Sequence, residues 1–219
     1  ATKAKAVQSR VKALERKGTL EKLSHIKNLD FQFKSAPFNG KRLLEVQNLS
    51  FSYDKDTKPL IEDFSIAVGK FDRIAIMGQN GRGKTTLLSM LAGELAPQSG
   101  IISPHPAMKA AYFGQANIER LNPELTVEEE VSSVHPEHHR TSVRSICGLM
   151  MFSGDDALKK VEVLSGGEKS RVLLAKLLVS PANMLMLDEP TNHLDMESVD
   201  SLTEAINDFE GAVIIVTHN

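Results

Sequence analysis

Two stretches of this chain carry residue types suited to phosphate chemistry. Gly78-Gln79-Asn80-Gly81-Arg82-Gly83-Lys84-Thr85, followed by Thr86, fits the spacing G-x-x-x-x-G-K-[ST]. Glycine is needed there because the backbone must curl around an anion with several N–H groups pointing inward, and a Cβ would block the approach. Lys84 is placed to reach β- and γ-phosphates, and the Thr85 hydroxyl to bind Mg²⁺. The second stretch, Met184-Leu185-Met186-Leu187-Asp188-Glu189, ends an apolar run in two adjacent carboxylates. Asp188 would supply a further metal contact and Glu189 would orient or deprotonate an attacking water. Phosphoryl transfer asks the protein mainly for positioning and charge neutralisation.

Such groups must be held by particular elements. The apolar run Arg73–Met77 predicts a core strand entering the glycine turn, and a helix from about Lys84 to Leu95 follows it, so that the helix N-terminus faces the anion. Met184–Leu187 reads as a buried strand whose carboxyl end presents the two acids, where a parallel sheet offers its ligand site. Leu43–Tyr53 and Leu60–Val68 predict strands of an antiparallel flank, and Met108–Phe113 and Ala212–Thr217 further core strands. Residues 120–164 lose the β rhythm and read as a mainly helical insertion, before helices over Ser170–Leu178 and Ser198–Phe209. The fold class is α/β: a mainly parallel core sheet with an antiparallel β flank and an inserted α-helical subdomain.

Composition agrees with a folded globular chain: 219 residues, 41% hydrophobic and 25% charged. The net charge of −2 is unevenly spread. Residues 1–42 hold 11 Lys and Arg against 3 Asp and Glu, or +8, leaving 15 against 25, or −10, for the remainder. Ala4, Val7, Val11 and Leu14 repeat at helical spacing within the basic segment, giving an amphipathic helix with a narrow seam. Both a solvated surface helix and an arm that meets a polyanion fit that split. Pro37 and Asn39-Gly40 mark a loop, which separates a basic helical segment, 1–40, from the main domain, 41–219. Lone Cys147 argues against a disulfide framework and for a cytoplasmic setting. No apolar run approaches the ~20 residues a membrane helix needs, so no membrane insertion is expected. The absence of an initial Met and the end just after an apolar strand suggest a piece of a longer protein.

Leu164-Ser165-Gly166-Gly167-Glu168 selects one family among phosphate-loop proteins, because it resembles the ABC signature sequence. Its physics is that of a second anion site made from a hydroxyl, bare glycine amides and a helix N-terminus. The resemblance implies an ATPase whose cofactors are ATP and Mg²⁺, with the signature closing over nucleotide held by a second ABC domain. It further implies that Gln115 is a magnesium-binding glutamine coupling the helical subdomain, about 116–164, to nucleotide. By the same likeness Asp195 resembles the aspartate that acts across the domain pair, His218 the histidine that contacts the γ-phosphate, and Tyr53 the aromatic that stacks on adenine. Catalysis is thereby assigned to Glu189, His218 and Lys84, the metal to Thr85, Gln115 and Asp188, and the remaining positions to nucleotide.

Within that family, Thr191-Asn192-His193-Leu194-Asp195 looks like the soluble ABC-F and ABC-E proteins, since transporter ATPases commonly carry a serine-alanine pair at positions 192 and 193. One cysteine is too few for the iron-sulfur domain of ABC-E proteins. The chain is thus identified as resembling the second ABC domain of an ABC-F protein of the Uup-like group, preceded by the end of its interdomain linker. That likeness implies action on the ribosome in translation, with ribosomal RNA or tRNA meeting Lys3, Lys5, Arg10, Lys12, Arg16 and Lys17. The alternative is the ATP-binding subunit of a membrane transporter. An antibiotic-protection or DNA-related role within the family stays open. A piece without its second domain is expected to bind nucleotide and hydrolyse it weakly or not at all. The group His135, His138 and His139 has no Cys or nearby second carboxylate pair to complete a tetrahedral metal set, and His138 and His139 would point different ways on a helix.

Overall fold

The computed structural model describes residues 32–54, 58–134, 140–192, 194 and 196–217. The basic helix expected within 1–30, the histidine group at 135–139, and His193, Asp195 and His218 lie outside the described residues.

Two sheets share one core. The first is antiparallel, with β2 (Ile61–Gly69), β1 (Arg42–Phe51) and β4 (Ser99–Pro104) side by side in that order. The second is parallel and runs β3 (Arg73–Met77), β7 (Ala212–Thr217), β6 (Met184–Asp188), β5 (Ala110–Phe113). Met184–Leu187 on β6 is buried without alternation, as expected of a strand covered on both faces. Helix α1 (Lys84–Leu91) leaves the end of β3 and drives Leu88, Met90 and Leu91 into the space between the sheets. There they meet Leu43, Leu44, Val46 and Leu49 of β1, Met184 and Met186 of β6, and Ile214 and Val216 of β7. Each such side chain taken fully from water is worth about 1.5–3 kcal/mol, so the helix carrying the glycine loop is firmly seated.

Between β5 and β6 the chain forms short helices α2 (Gln115–Glu119) and α3 (Val127–Ser132), then α4 (Arg140–Leu149), two 3-10 turns over Gly154–Leu158 and Val161–Val163, and the longer α5 (Gly166–Val179). Helix α6 (Met196–Asp208) precedes β7. Thr126 opens α3 with a reciprocal cap to Glu129, the signature S/T-x-x-E pattern of a helix start. Glu130 of α3 and Lys176 of α5 form an ion pair whose carboxylate side chain is only 4% exposed. Ahead of β1, the segment 33–36 is laid on the body: Ala36 N–H donates to Ala182 O at 2.7 Å, and Phe33 meets Phe209 edge to face at 6.1 Å.

The fold class is the one expected, with local differences. Helix α5 opens at Gly166, four residues ahead of the expected Ser170. The helix after the glycine loop stops at Leu91 rather than near Leu95, because Gly93 turns to φ 79° and breaks the ladder. Strand β4 was not anticipated: Ser-Gly-Ile-Ile-Ser-Pro carries little strand pattern of its own and gains its conformation by pairing with β1.

Candidate nucleotide site

The glycine loop joins β3 to α1, and its geometry follows from Gly83. That residue is the N-cap of α1 at φ 85°, and a Cβ built on it would stand 2.8 Å from Leu60 Cγ. Neither the backbone angle nor the space admits a side chain. Lys84 turns back over the loop and donates from Nζ to the carbonyl oxygens of Gly78, at 2.8 Å, and Gln79, at 3.1 Å. Its side chain is held inside the loop, with the residue 8% exposed. Gln79, Asn80, Gly81, Arg82 and Thr85 are exposed around it, and Thr86 is buried.

Tyr53 stands at the rim. Its ring meets Phe51 edge to face at 4.9 Å, and its hydroxyl lies 3.0 Å from Thr86 Oγ1. The residue is 74% exposed, so much of its aromatic surface stays open to solvent. Tyr53, Asn80, Lys84 and Glu189 border a cleft of about 520 Å³.

A second cleft of about 360 Å³ adjoins it, with Thr85 and Glu189 on both. Gln115, Asp188, Gly166 and Asn192 also line it. Thr85, Gln115 and Asp188 therefore offer a hydroxyl, an amide carbonyl and a carboxylate to one space, a set of hard oxygen donors of the kind Mg²⁺ selects. The residues fit a magnesium nucleotide on two counts: this donor set, and the Lys84 side chain that borders the adjoining cleft as a cation for phosphate.

Glu189 follows β6 in the left-handed region at φ 49°, a conformation that costs a residue with a side chain roughly 1–2 kcal/mol. Its N–H donates to Val216 O of β7 at 3.1 Å. Its carbonyl accepts from Asn192 N–H at 3.1 Å, and its Oε2 from Asn192 Nδ2 at 2.7 Å. Pro190 holds the first central position of that turn, where its fixed φ belongs. Sequence reading used Asn192 only as a family mark and missed this contact; the three-residue spacing across a proline turn was the available signal.

Ser165 caps α5: its Oγ accepts from Glu168 N at 3.3 Å, while Glu168 Oε2 takes the Ser165 N–H at 2.8 Å and the hydroxyl proton at 2.7 Å. These bonds, the hydroxyl's first, hold the Glu168 carboxyl below its usual range, so it is charged at neutral pH. Gly166 reaches the second cleft, whereas Ser165 and Gly167 do not line it. Among the candidate residues, the structure thus gathers Tyr53, Asn80, Gly81, Gly83 to Thr86, Gln115, Asp188, Glu189 and Gly166 around two adjoining clefts, whereas Gly78, Gln79 and Arg82 line neither. Among the described residues, no group of three or more His, Cys, Asp or Glu could hold a metal ion by itself, and no helix is long and apolar enough to cross a membrane.

The family model described as ABC transporter matches residues 61–192. The chain is 38% identical over its full length to an uncharacterised ABC transporter ATP-binding protein of Schizosaccharomyces pombe, covering 30% of that protein. It is 37% identical, over 99% of its length, to ATP-binding cassette sub-family F member 2 of Bos taurus, covering 35% of that protein. The chain thus spans about a third of the length of the curated relatives it matches. An ATP-binding cassette solved as a dimer in a post-hydrolysis state bound to ADP and Pi shares the fold, with a TM-score of 0.67 at 20% identity over 81% of this chain and 88% of that one.

Proposed function

The chain belongs to the ABC family, and from that premise we propose that it is the second ATP-binding domain of an ABC-F protein, which binds and hydrolyses Mg-ATP. The observation that carries the reading is the convergence of Lys84, Thr85, Gln115, Asp188 and Glu189 on two adjoining clefts. Lys84 exchanges its loop carbonyls for phosphate oxygens, which makes it a binding and charge-neutralising group. Tyr53 receives the adenine. Thr85, Gln115 and Asp188 hold Mg²⁺, which when bound neutralises charge on the phosphate oxygens. Glu189 orients the attacking water and takes its proton as the water oxygen bonds to the γ-phosphorus and the bond to the β-bridging oxygen breaks.

Hydrolysis needs a partner. Ser165, Gly166 and Gly167 form the anion site that a second ABC domain's nucleotide would meet, and Asp195 and His218 complete the arrangement. In the intact protein the other ABC domain lies in the same chain, and the basic segment 1–40 meets ribosomal RNA or tRNA in the cytoplasm. The relationship to a sub-family F protein supports this over a transporter subunit.

The reading is tested by titrating the chain with Mg-ATP beside Lys84→Ala, and by size-exclusion chromatography of Glu189→Gln with ATP. Binding weakened by about 10- to 100-fold in Lys84→Ala, and an ATP-dependent dimer of Glu189→Gln, are expected. Wild type that binds no nucleotide sinks the proposal. Ribosome co-sedimentation that disappears at high salt tests the RNA partner; its absence at low salt removes that part alone.

A further inference from the structure

We infer that Asn192 is a positioning residue for Glu189, helping to hold the carboxylate in the orientation from which it handles the attacking water; this rests on the hydrolytic reading above. The argument begins with the backbone. Glu189 occupies a left-handed conformation at φ 49° without being glycine, so something must hold it there. Two backbone bonds do so, its N–H to Val216 O at 3.1 Å and its carbonyl to Asn192 N–H at 3.1 Å. They fix where the side chain leaves the main chain but not where the carboxylate turns.

A glutamate has three further rotatable bonds, and a carboxylate that swings among rotamers spends little time in any one productive pose. The bond from Asn192 Nδ2 to Oε2, at 2.7 Å, selects one. The orientation of the amide follows from charge: only the Nδ2 donor can face a carboxylate oxygen, since Oδ1 would repel it. Donor and acceptor lie three residues apart in a turn that Pro190 stiffens, so the contact costs little additional ordering. Asn192 and Glu189 both border the cleft that Thr85, Gln115 and Asp188 share, which places this bond beside the proposed reaction centre. A serine at 192 would carry its donor one atom closer to the backbone and would need the turn to tighten. Leucine keeps the bulk and loses the donor, and aspartate keeps the shape and replaces a donor with a repelling charge.

The test is single-turnover hydrolysis, with the chain in excess over ATP, together with the Mg-ATP Kd, in wild type and in Asn192→Ser, Asn192→Leu and Asn192→Asp. Expected are Kd values within about twofold of wild type and rates that fall in the order wild type, Ser, Leu, Asp, with Leu down on the order of 10- to 100-fold. An Asn192→Leu rate equal to wild type overturns the positioning role and leaves the ATPase reading intact. Parallel loss of rate, binding and Tm in Asn192→Leu assigns the residue to folding and overturns it too. Wild type that binds no Mg-ATP overturns the underlying reading and the role with it. Should wild type bind but turn over too slowly to rank the variants, the side-chain amide resonance of Asn192 decides. Its displacement by Glu189→Gln, with none by Lys84→Ala, supports the contact, and an unmoved resonance overturns it.

Discussion

Lys84 Nζ stands 2.8 Å from the carbonyl oxygen of Gly78, so the ammonium proposed to meet phosphate is already satisfied by its own loop. The loop is therefore pre-shaped, and binding exchanges neutral acceptors for charged ones. A hydrogen bond to a charged group is worth about 1.5–3 kcal/mol net, so Lys84→Ala should weaken Mg-ATP by about 10- to 100-fold. Calorimetric titration measures it. Its thermal midpoint should move only a few degrees, because the orphaned carbonyls belong to an exposed loop that water can reach. A large fall in Tm would make the lysine a structural strut.

Gly83→Ala should be far more damaging to the fold. Its φ of 85° costs alanine about 1–2 kcal/mol, and the new methyl 2.8 Å from Leu60 Cγ adds overpacking of about 1–3 kcal/mol. Urea unfolding should show a total loss of about 2–5 kcal/mol. Adding Leu60→Ala makes room for the methyl but leaves the backbone angle, so partial recovery is expected. Full recovery would mean that φ contributes nothing.

The placement of the glycine loop, the Asp188-Glu189 pair and Leu164–Glu168 was legible because each is local: a fixed spacing, read off a strand end or helix start. The same holds for β6 and β7, whose unbroken apolar runs announce burial on both faces. Strand β4 escaped because its conformation is lent by β1 across the sheet, and no residue within Ser99–Pro104 encodes that partner. Leu60 under Gly83 and Thr86 beside Tyr53 escaped for the same reason, being contacts between segments distant in sequence. Asn192 is the instructive miss. Its contact with Glu189 is local, but a family mark explained the residue sufficiently that its chemistry went unread.

Glu128 should make the helical insertion acid-sensitive. It is buried, its carboxylate takes hydrogen bonds from Arg140 and, at 2.9 Å, from Arg144, and the Arg140 bond above all holds its pKa below the usual carboxylate range. A depressed folded pKa contributes stability that is present above the unfolded value, near pH 4, and is lost as pH falls through the folded one. Both arginine side chains are largely in solvent, 72% and 48% exposed, so screening weakens their hold on the carboxylate. Glu128→Gln should thus lower Tm at pH 7, and its gap to wild type should close below about pH 4. A gap that stays constant across that window would show that the lost stability is packing rather than charge.

Cys147 lies beneath this cluster, fully buried on α4, and its thiol is pushed up to about 11, first by burial and then by the Glu128 charge. Thiolate is the reactive form, so at pH 8 its share falls from about a quarter for an ordinary thiol to about 0.1%. Iodoacetamide should leave native protein unlabelled at pH 8 and modify it fully in urea. The sign for stability is opposite to that of Glu128: a raised folded pKa gives stability that is complete below the unfolded value of about 8.5 and lost as pH rises towards 11. The urea midpoint should therefore drop more steeply above pH 8.5 in wild type than in Cys147→Ala, which has no thiol to ionise. Because Glu128 supplies part of the upward push, Glu128→Gln should bring the Cys147 titration down. If that variant leaves the thiol where it was, burial alone sets its pKa and the two groups are not coupled.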